Sequence, residues 1–574
     1  MGRTYRFDQD GDDGEFGCAR RPPTGANDGV VYHGNPENFV SSPPAVPAKE
    51  SSPVQQMIAP AMHYQLLRPV LLAMLVPHVT YAQPGTLDPT FGGSGIVTTS
   101  ITDTSDVGSD VAVQSDGKII VAGTTNNGAN NDFLAVRYNV DGSLDGMFGS
   151  LGTMIIDFGG TNDRANAIVI QPDGMIVLAG TSAGDFAVVR LTTDGGLDPT
   201  FGADGKVSTD IAGWSDAGND LALQEDGKIV VCGGGQLSAL YADLAFAAVR
   251  YSTDGSLGPK FSSDRIASTV FTASVPAFAW GIEIMTDGRI ILGGVFAEQD
   301  FALVRYSSDG TLDNSFDGDG KVTTDIGTGH DVILDIALQP DGRVLAAGVT
   351  NSPDLGFSVA RYNVDGSLDN SFSGDGIVIT PVLDPFSDAS SIAVLSSGKI
   401  LVAGDAYNGS DRDLAMVRYD ADGSIDLTFG IDGIVTADAG SEEQCNAMFI
   451  QQDEKIVLAG ATGPWDAKDL VVARFFDEPN GVAHFLLDHE ELSAYPNPAN
   501  EATVLSFTLP ASDLLGLRLY DACGRLVQVL FSDERRSPGL HTEIVSLDPD
   551  LPSGIYAFIL SGTYRSMYAR LVKQ

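Results

Sequence analysis

Short runs in which apolar and polar residues alternate recur along most of the chain, from residue 85 to about residue 476. One copy reads DGTLDNSFDGDGKVTTD at 309–325, DIALQPDGRVLAAG at 335–348 and a run that ends in VARY at 359–362. Alternating β-branched residues around an Asp-Gly turn predict β-hairpins. The run FALVRY is apolar at odd and even positions, which indicates a strand buried on both faces. Each copy therefore predicts four short strands.

The copies follow one another at nearly constant spacing. Gly85 opens the first copy, and the others open with Asp-Gly pairs that begin at residues 141, 194, 254, 309, 365 and 422. Four-stranded units of this length bury their faces only against neighbouring copies, as propeller blades do. We expect an all-β fold in which residues 83–480 form a seven-bladed β-propeller. A right-handed β-helix is the alternative, and the sequence does not predict which strand closes the ring.

The period ends after Phe476. Residues 481–494 are expected to be a linker. Alternating runs such as ATVLSFTL, LGLRLYDACGRLVQVL and GIYAFILSG follow it. They predict that residues 495–574 form a small antiparallel β-sandwich of the Ig-like kind.

The N-terminal part predicts an export signal. Residues 62–82 combine a short polar start, an apolar stretch and small residues spaced for cleavage between Ala82 and Gln83, as in a secretory signal peptide. The apolar stretch is too short for a permanent membrane span. Residues 1–61 are proline-rich and aperiodic, so we expect a disordered leader that results from a start codon assigned too early, with Met62 or Met57 as the initiator. An internal core helix after such a leader is the alternative.

Charge and composition narrow the chemistry. The chain has 574 residues, 33 basic and 76 acidic side chains and a net charge of −43, which disfavours nucleic-acid partners. Its four cysteines are far apart, and of its seven histidines only His330 lies in the repeats. These facts argue against a disulfide framework, most zinc sites and a histidine base. Because motifs of the GxSxG, HExxH and P-loop type are missing as well, we expect no catalytic residue and no cofactor, and not an enzyme.

Two sets of repeated charged residues remain as candidates. An arginine ends the fourth run of every copy, at positions 137, 190, 250, 305, 361, 418 and 474. We expect these arginines to pair with turn aspartates and to hold the fold, and a ring of anion ligands is the alternative. Asp313, Asp317 and Asp319 in one acidic turn are weak candidates for calcium ligands, since clustered carboxylates suit hard cations. Asp and Gly also suit turns that hold no metal.

The third and fourth copies depart from the others. The third copy carries extra sequence at 233–246, and the fourth lacks the FGxxG turn and has Trp280 where other copies carry smaller residues. A specialised site is therefore expected in these two copies if the chain has one.

The repeat resembles the Delta-60 repeat family through the phrases LDPTFG at 197–202, QPDG at 171–174 and FALVRY at 301–306. The resemblance covers roughly 390 residues and recurs in all seven copies. It implies little about activity, because the family is defined by its repeat.

The C-terminal segment resembles the sorting domain of the type IX secretion system, also called the Por secretion tail. The sorting motif comprises Tyr495, Pro496, Asn497, Pro498, Gly554 and Tyr556, and Asp521, Gly524, Arg525 and Ile555 also match. The resemblance implies contact with that secretion machinery, export from a Gram-negative cell, and an extracellular or surface-attached product.

We therefore expect a secreted or cell-surface, non-enzymatic propeller that acts as a binding or adhesion scaffold for a glycan or protein ligand. The alternative is a secreted polysaccharide hydrolase or lyase with its site in the third and fourth repeats, using aromatics such as Trp214 or Trp280. The sequence does not name the ligand.

Overall fold

The computed structural model of the protein describes residues 84–573, except 161, 239–242, 260, 263–264, 298, 328, 351–355, 384–386, 465–466, 478–491, 496–498, 500–501, 510–511, 522–525, 548–550, 553 and 562–565. The leader, the expected signal peptide with its Ala82–Gln83 cleavage site, and most of the linker lie outside the described residues. The described residues form β-strands and no α-helix. None of them belongs to a helix with the length and apolar character needed to cross a bilayer.

Residues 84–477 contain seven four-stranded antiparallel sheets in the part that the structure describes. The strand β1 (Ile96–Thr99) comes first in the chain and belongs to the last sheet. Sheet 1 comprises β2 (Asp106–Val113), β3 (Ile119–Asn126), β4 (Asn131–Tyr138) and β5 (Thr153–Ile156); sheet 2 comprises β6 (Asp163–Ile170), β7 (Ile176–Ser182), β8 (Asp185–Leu191) and β9 (Lys206–Thr209); sheet 3 comprises β10 (Asp216–Leu223), β11 (Ile229–Gln236), β12 (Leu244–Tyr251) and β13 (Ile266–Thr269).

The remaining sheets follow the same order. Sheet 4 comprises β14 (Ala277–Ile284), β15 (Ile290–Phe296), β16 (Asp300–Tyr306) and β17 (Lys321–Thr324); sheet 5 comprises β18 (Asp331–Leu338), β19 (Val344–Thr350), β20 (Gly356–Tyr362) and β21 (Ile377–Thr380); sheet 6 comprises β22 (Ser387–Val394), β23 (Ile400–Tyr407), β24 (Arg412–Tyr419) and β25 (Ile434–Ala437). Sheet 7 comprises β26 (Glu443–Ile450), β27 (Lys455–Thr462), β28 (Asp469–Phe476) and, as its outer strand, β1.

The repeat in the sequence and the sheet in the structure differ in phase by one strand. The strand that begins each copy pairs with the last strand of the copy before it, so every sheet takes its outer strand from the next copy. The last sheet is completed by β1, whose residues Ile96 and Thr99 lie opposite Ala473 and Leu470 of β28. Pairing between the first and last copies therefore joins the two ends of the repeat region.

The first strands of the seven sheets, β2, β6, β10, β14, β18, β22 and β26, contact one another in cyclic order, and β26 contacts β2. The third strands are buried along almost their whole length, which confirms the prediction made from runs such as FALVRY. Apolar clusters span neighbouring sheets; one joins Ile120 of sheet 1 to Leu178 of sheet 2. Burial of this apolar surface stabilises the contacts between sheets.

One glycine in each second strand is required by a close backbone approach. A Cβ atom at Gly348 would lie 1.9 Å from the carbonyl oxygen of Val332 in the adjacent first strand. The first strand carries a β-bulge at this place, between Ile333 and Asp335. The same approach of 1.8–1.9 Å occurs in all seven sheets, at Gly123, Gly180, Gly233, Gly294, Gly348, Gly404 and Gly460. The glycine of the repeated phrase therefore accommodates the bulge of the neighbouring strand.

The described part of residues 492–573 forms two antiparallel sheets. One contains β29 (Leu492–Tyr495), β30 (Ala502–Leu509) and β33 (Gly539–Ser546); the other contains β32 (Leu526–Arg536), β31 (Asp513–Asp521), β34 (Gly554–Ser561) and β35 (Ser566–Lys573). Both sheets contribute to one apolar cluster, which includes Leu505 and Phe507 from the first and Leu519 and Phe558 from the second.

Two of the predicted sorting-motif residues lie in β34 and one in β29. Gly554 begins β34 and Tyr495 ends β29. Tyr556 is buried, and its hydroxyl donates a hydrogen bond to the carbonyl oxygen of Pro552 at 2.7 Å. Pro496, Asn497 and Pro498 lie outside the described residues.

Candidate functional site

The repeated arginines lie near the C-terminal end of the third strand of each sheet. Six of them form buried ion pairs. Their Nε atoms donate to an aspartate of the adjoining turn at 2.7–2.9 Å. The pairs are Arg137–Asp145, Arg190–Asp198, Arg305–Asp313, Arg361–Asp369, Arg418–Asp426 and Arg474–Asp88. The last pair joins the final copy to the first.

The same arginines also link neighbouring sheets. An Nη1 atom of each donates to a backbone carbonyl of the next sheet's turn region; the acceptors are Thr193, Thr253, Ser308, Val364, Ala421, Asp477 and Val140. All seven guanidinium groups lie 4.5–4.8 Å from the ring centroid of a turn phenylalanine. These contacts confirm the predicted pairing with turn aspartates for six of the seven arginines.

Sheet 3 is the exception. Gly258 stands where the other sheets have the paired aspartate, in the atypical fourth copy. Arg250 keeps its bond to the Ser308 carbonyl at 2.7 Å and its position over Phe261. Burial lowers the pKa of Arg250, because the charged form is removed from water.

The three weak calcium candidates lie in one turn, where basic groups neutralise two of them. Arg305 and Arg289 pair with Asp313 at 2.8 and 3.2 Å. Burial alone would raise the pKa of Asp313, but hydrogen bonds from Ser315 and these arginines hold it well below its usual range. Asp319 accepts the backbone N–H of Lys321 and lies 3.5 Å from its ammonium group. Asp317 is exposed, and the structure does not gather the three carboxylates around one point.

Three aspartates on the first strands of alternate sheets lie close enough to influence one another through their charges. Asp110, Asp220 and Asp335 follow the bulge of β2, β10 and β18. One oxygen of each accepts the N–H of the next residue, and the other accepts an N–H of the neighbouring sheet, from Ile168, Ile282 and Ile392 at 2.7–2.9 Å. The repeat pattern did not single them out as site residues, although an aspartate recurs at this position in alternate copies.

Burial raises the pKa of these carboxyl groups. The pKa of Asp110 rises to about 7, with a smaller contribution from Asp335, and that of Asp335 rises to about 6. The pKa of Asp220 is raised well above its ordinary value by burial and by the other two charges. Glu283 of sheet 4 is affected in the same way, and burial together with Asp335 raises its pKa to about 7. Burial on the first strands therefore raises the pKa of several carboxyl groups towards neutral pH.

At the ends of the strands opposite the repeated arginines lie three groups of acids, which we call acid triads. Each takes one residue from the start of a third strand, one that follows the fourth strand, and one from the start of the next sheet's first strand. The triads are Asp132–Asp157–Asp163, Asp185–Asp210–Asp216 and Asp413–Asp438–Glu443, and in each of them one oxygen per residue lies within 4.8 Å of the others.

Burial and mutual repulsion raise the pKa of several triad members. The pKa of Asp132 is raised by burial and by Asp157 and Asp163, and that of Asp216 rises to about 6. The pKa of Asp413 and that of Glu443 are raised by burial and by Asp438. A fourth junction, between sheets 4 and 5, has Asp300, Asp325 and Asp331 at the same positions.

The atypical copies place two tryptophans on sheets 3 and 4. Trp214 lies in the loop before β10 and is 47% exposed. Trp280 occupies the bulge of β14, three residues before Glu283. Glu283 is unique to the fourth copy, since the equivalent positions include Ala112, Ala222, Ala337 and Ala393. Residues 239–242 of the third copy's extra sequence lie outside the described residues.

The outer edge of sheet 1 exposes three large apolar residues. On sheet 1, Met147, Leu151 and Ile155 are 81%, 80% and 44% exposed. The equivalent residues on sheet 2 are Thr200, Asp204 and Ser208. Exposed edge strands are usually polar, so the apolar edge of sheet 1 is a candidate binding surface.

A family model agrees with this architecture. The β-propeller domain of unknown function DUF5122 matches residues 114–148, 171–201, 286–316, 339–372 and 395–429. One segment falls in each of sheets 1, 2, 4, 5 and 6, and each segment includes the second and third strands of its sheet. The chain is a β-propeller repeat protein. Its sheets are therefore the blades of the propeller, and the resemblance to Delta-60 repeats is supported at this level.

Comparison with solved structures gives matches of low identity. A protein of unknown function from Dyadobacter fermentans is 13% identical, with a TM-score of 0.36, over 66% of this chain and 97% of that chain. The polysaccharide lyase Uly1 is 12% identical, with a TM-score of 0.40, over 64% of this chain and 90% of that chain. Likeness at this level says nothing about activity. A search of curated protein sequences gave no significant match.

Proposed function

We propose that the protein is a secreted or surface-attached, non-enzymatic scaffold whose propeller is a closed ring of seven blades. The observation that carries the proposal is the apolar outer edge of blade 1, formed by Met147, Leu151 and Ile155. An exposed apolar surface formed by an edge strand and the turn before it favours a protein ligand over a glycan, because glycan sites need convergent polar groups.

The distribution of charged groups supports a scaffold. The repeated arginines bind the aspartates and carbonyls of their own ring, and the first-strand aspartates bind backbone amides of neighbouring blades. The repeated polar groups therefore stabilise the contacts between blades. The residues that differ from blade to blade are the ones available to bind a ligand.

Blade 2 supplies the residues for the binding test. A triple variant, Met147→Thr, Leu151→Asp and Ile155→Ser, gives blade 1 the residues of blade 2. We expect at least tenfold weaker binding of the full chain to washed Gram-negative cells, with an unchanged melting temperature. Thr200→Ser on blade 2 is the matched control. Equal binding by the triple variant and the wild type would contradict the proposed surface, and binding to a glycan array that survives the triple change would indicate a glycan ligand elsewhere.

Export through the type IX system forms the second part of the proposal. The C-terminal segment has its own apolar cluster, drawn from both of its sheets, which supports an independent domain. Deleting residues 495–574 should leave the propeller folded and should stop surface delivery in a host that carries the type IX machinery. Fractionation and sequencing of the mature N-terminus measure both effects. A truncated chain that still reaches the surface would contradict the sorting role.

A polysaccharide hydrolase or lyase remains the second candidate, because one observation favours it. Glu283 is a carboxyl group found only in the fourth copy, its pKa of about 7 suits a general acid, and Trp280 lies on the same strand. The test is sugar release from a panel of polysaccharides by the wild type and by Glu283→Gln. Release by the wild type that is lost in the variant would establish an enzyme, and no release would support the scaffold.

A further inference from the structure

Two of the acid triads contain a buried carboxylate oxygen that has no hydrogen-bond partner in the described part of the chain. These atoms are Oδ1 of Asp132 and Oε2 of Glu443. Asp132 is 3% exposed and Glu443 is 0% exposed. Among the described residues, no lysine or arginine forms an ion pair with Asp132, Asp413 or Glu443. An unpaired buried carboxylate oxygen is costly, so each of these atoms indicates that a further partner binds there.

Other oxygens of these two triads accept hydrogen bonds from the protein. In the triad between blades 1 and 2, Asn127 donates to Asp132 at 2.8 Å, and the N–H of Phe158 donates to Asp163 at 2.8 Å. Asp157 accepts the N–H groups of Gly159 and Gly160. These hydrogen bonds position the three carboxylates around the unpartnered Oδ1 of Asp132.

The triad between blades 6 and 7 is built in the same way. Asn408 donates to Asp413 at 2.9 Å, the N–H of Gly440 donates to Asp438 at 2.5 Å, and Ser441 and Thr462 donate to Oε1 of Glu443 at 3.1 and 2.7 Å. The repetition of one arrangement at two separate blade junctions, with a longer acid at one of them, indicates a shared ligand and not a local accident of packing.

The chemistry of the triads fits a divalent hard cation. Three carboxylates within 4.8 Å of one another carry three negative charges when ionised. Two oxygens that bind one Ca²⁺ at about 2.3–2.6 Å lie at most about 5 Å apart, whereas Mg²⁺ requires shorter bonds and stricter octahedral geometry. Calcium also accepts the water and backbone ligands that complete such a half-open site.

We propose that the triads Asp132–Asp157–Asp163 and Asp413–Asp438–Glu443 each bind one calcium ion, which links blade 1 to blade 2 and blade 6 to blade 7. The sites lie at the opposite ends of the strands from Asp313 and Asp319, so they are distinct from the acidic turn that the sequence pointed to. The triad with Asp216 is a weaker site, since backbone N–H groups of Ile211 and Gln236 already occupy both oxygens of that residue.

The test is calcium titration of the metal-free full chain by calorimetry, with melting temperature measured in parallel. We expect two ions per chain with dissociation constants at or below about 1 mM, the weak limit of extracellular calcium modules. Asp132→Asn and Glu443→Gln should each remove one ion, and the double variant should lose both ions and the calcium-induced rise in melting temperature. Asp319→Asn, at the other end of the blades, is the matched control and should keep both.

Several results would overturn the proposal. They are an absence of binding to the wild type at about 1 mM calcium, two ions retained by the double variant, or magnesium that binds as tightly as calcium. If a variant fails to fold, the wild type still decides: its melting temperature should fall on addition of EDTA and return with calcium, and an unchanged value would contradict both sites.

Discussion

The ion pair between Arg474 and Asp88 joins the last copy to the first, and its loss should destabilise the proposed ring. Arg474 and Asp88 are 1% and 0% exposed, and Arg474 donates to Asp88 at 2.8 Å. Lys455 lies 3.4 Å from the same carboxylate oxygen. Asp88→Asn leaves two cations beside a neutral amide in a buried site. Because removal of one partner of a buried pair costs about 3–5 kcal/mol, we expect the free energy of unfolding to fall by about that amount.

Equilibrium unfolding in urea measures this change, and the chain offers a selective signal. All three tryptophans, at positions 214, 280 and 465, lie in the repeat region, so tryptophan fluorescence reports on the propeller alone. Asp375→Asn is the control, because Asp375 is exposed and its hydrogen bond from the Ile377 N–H needs only an uncharged oxygen. A loss below about 1 kcal/mol for Asp88→Asn would refute the view that these pairs hold the ring.

Blade 3 provides the converse change. Gly258→Asp would give Arg250 the partner that the other six arginines have, and we expect a gain of about 1–2 kcal/mol from a charge-assisted hydrogen bond. The new Cβ would lie 3.0 Å from the Arg250 carbonyl oxygen, so the turn must shift slightly to accept it. A destabilised variant would mean that blade 3 has adapted to an arginine without an aspartate.

Three further predictions follow from the ring. The pKa values of Asp110 and Asp335, about 7 and about 6, lie above those of unfolded aspartate, so protonation favours the folded state. Stability should therefore fall as pH rises from about 4 to about 7. Melting temperatures measured across that range should fall less for Asp335→Asn than for the wild type. Gly348→Ala places a Cβ atom 1.9 Å from a carbonyl oxygen and should cost about 3 kcal/mol or more in urea unfolding, whereas Gly146→Ala, in open space, should cost little. Deleting residues 84–99 removes β1 and exposes the edge of β28, so size-exclusion chromatography should show more association for this variant than for the full chain.

The strands and the arginine pairs could be predicted from sequence because their signals are local. A strand is readable from its own alternation, and in most copies the arginine and its aspartate stand eight residues apart. The phase of the sheets is not local, since β1 pairs with β28 across the whole repeat region. Nothing in either strand marks the other as its partner, so the closing strand could not be predicted.

The acid triads were missed for the same reason. Asp132, Asp157 and Asp163 come from three different places in the chain and from two sheets, and only the fold brings them together. The density of acids in one stretch pointed instead to Asp313 and Asp319, where arginine and lysine neutralise the charge. One feature of the sequence could have predicted the triads. Acids occupy the same three repeat positions in several copies and are replaced in the others.

That uneven recurrence bears on what the triads do. A residue that every blade junction needs should be present in all seven copies. The strand-end arginines and the glycines equivalent to Gly348 meet this condition. The triad positions are filled by Val270 and Ala277 at the junction of blades 3 and 4, and by Pro381 and Ser387 at the junction of blades 5 and 6. Those junctions form the same inter-strand contacts as the others. Packing of neighbouring blades therefore does not require the acids, and since a buried, unpaired carboxylate oxygen lowers stability, a ligand at the two proposed sites is the better physical reason for keeping them.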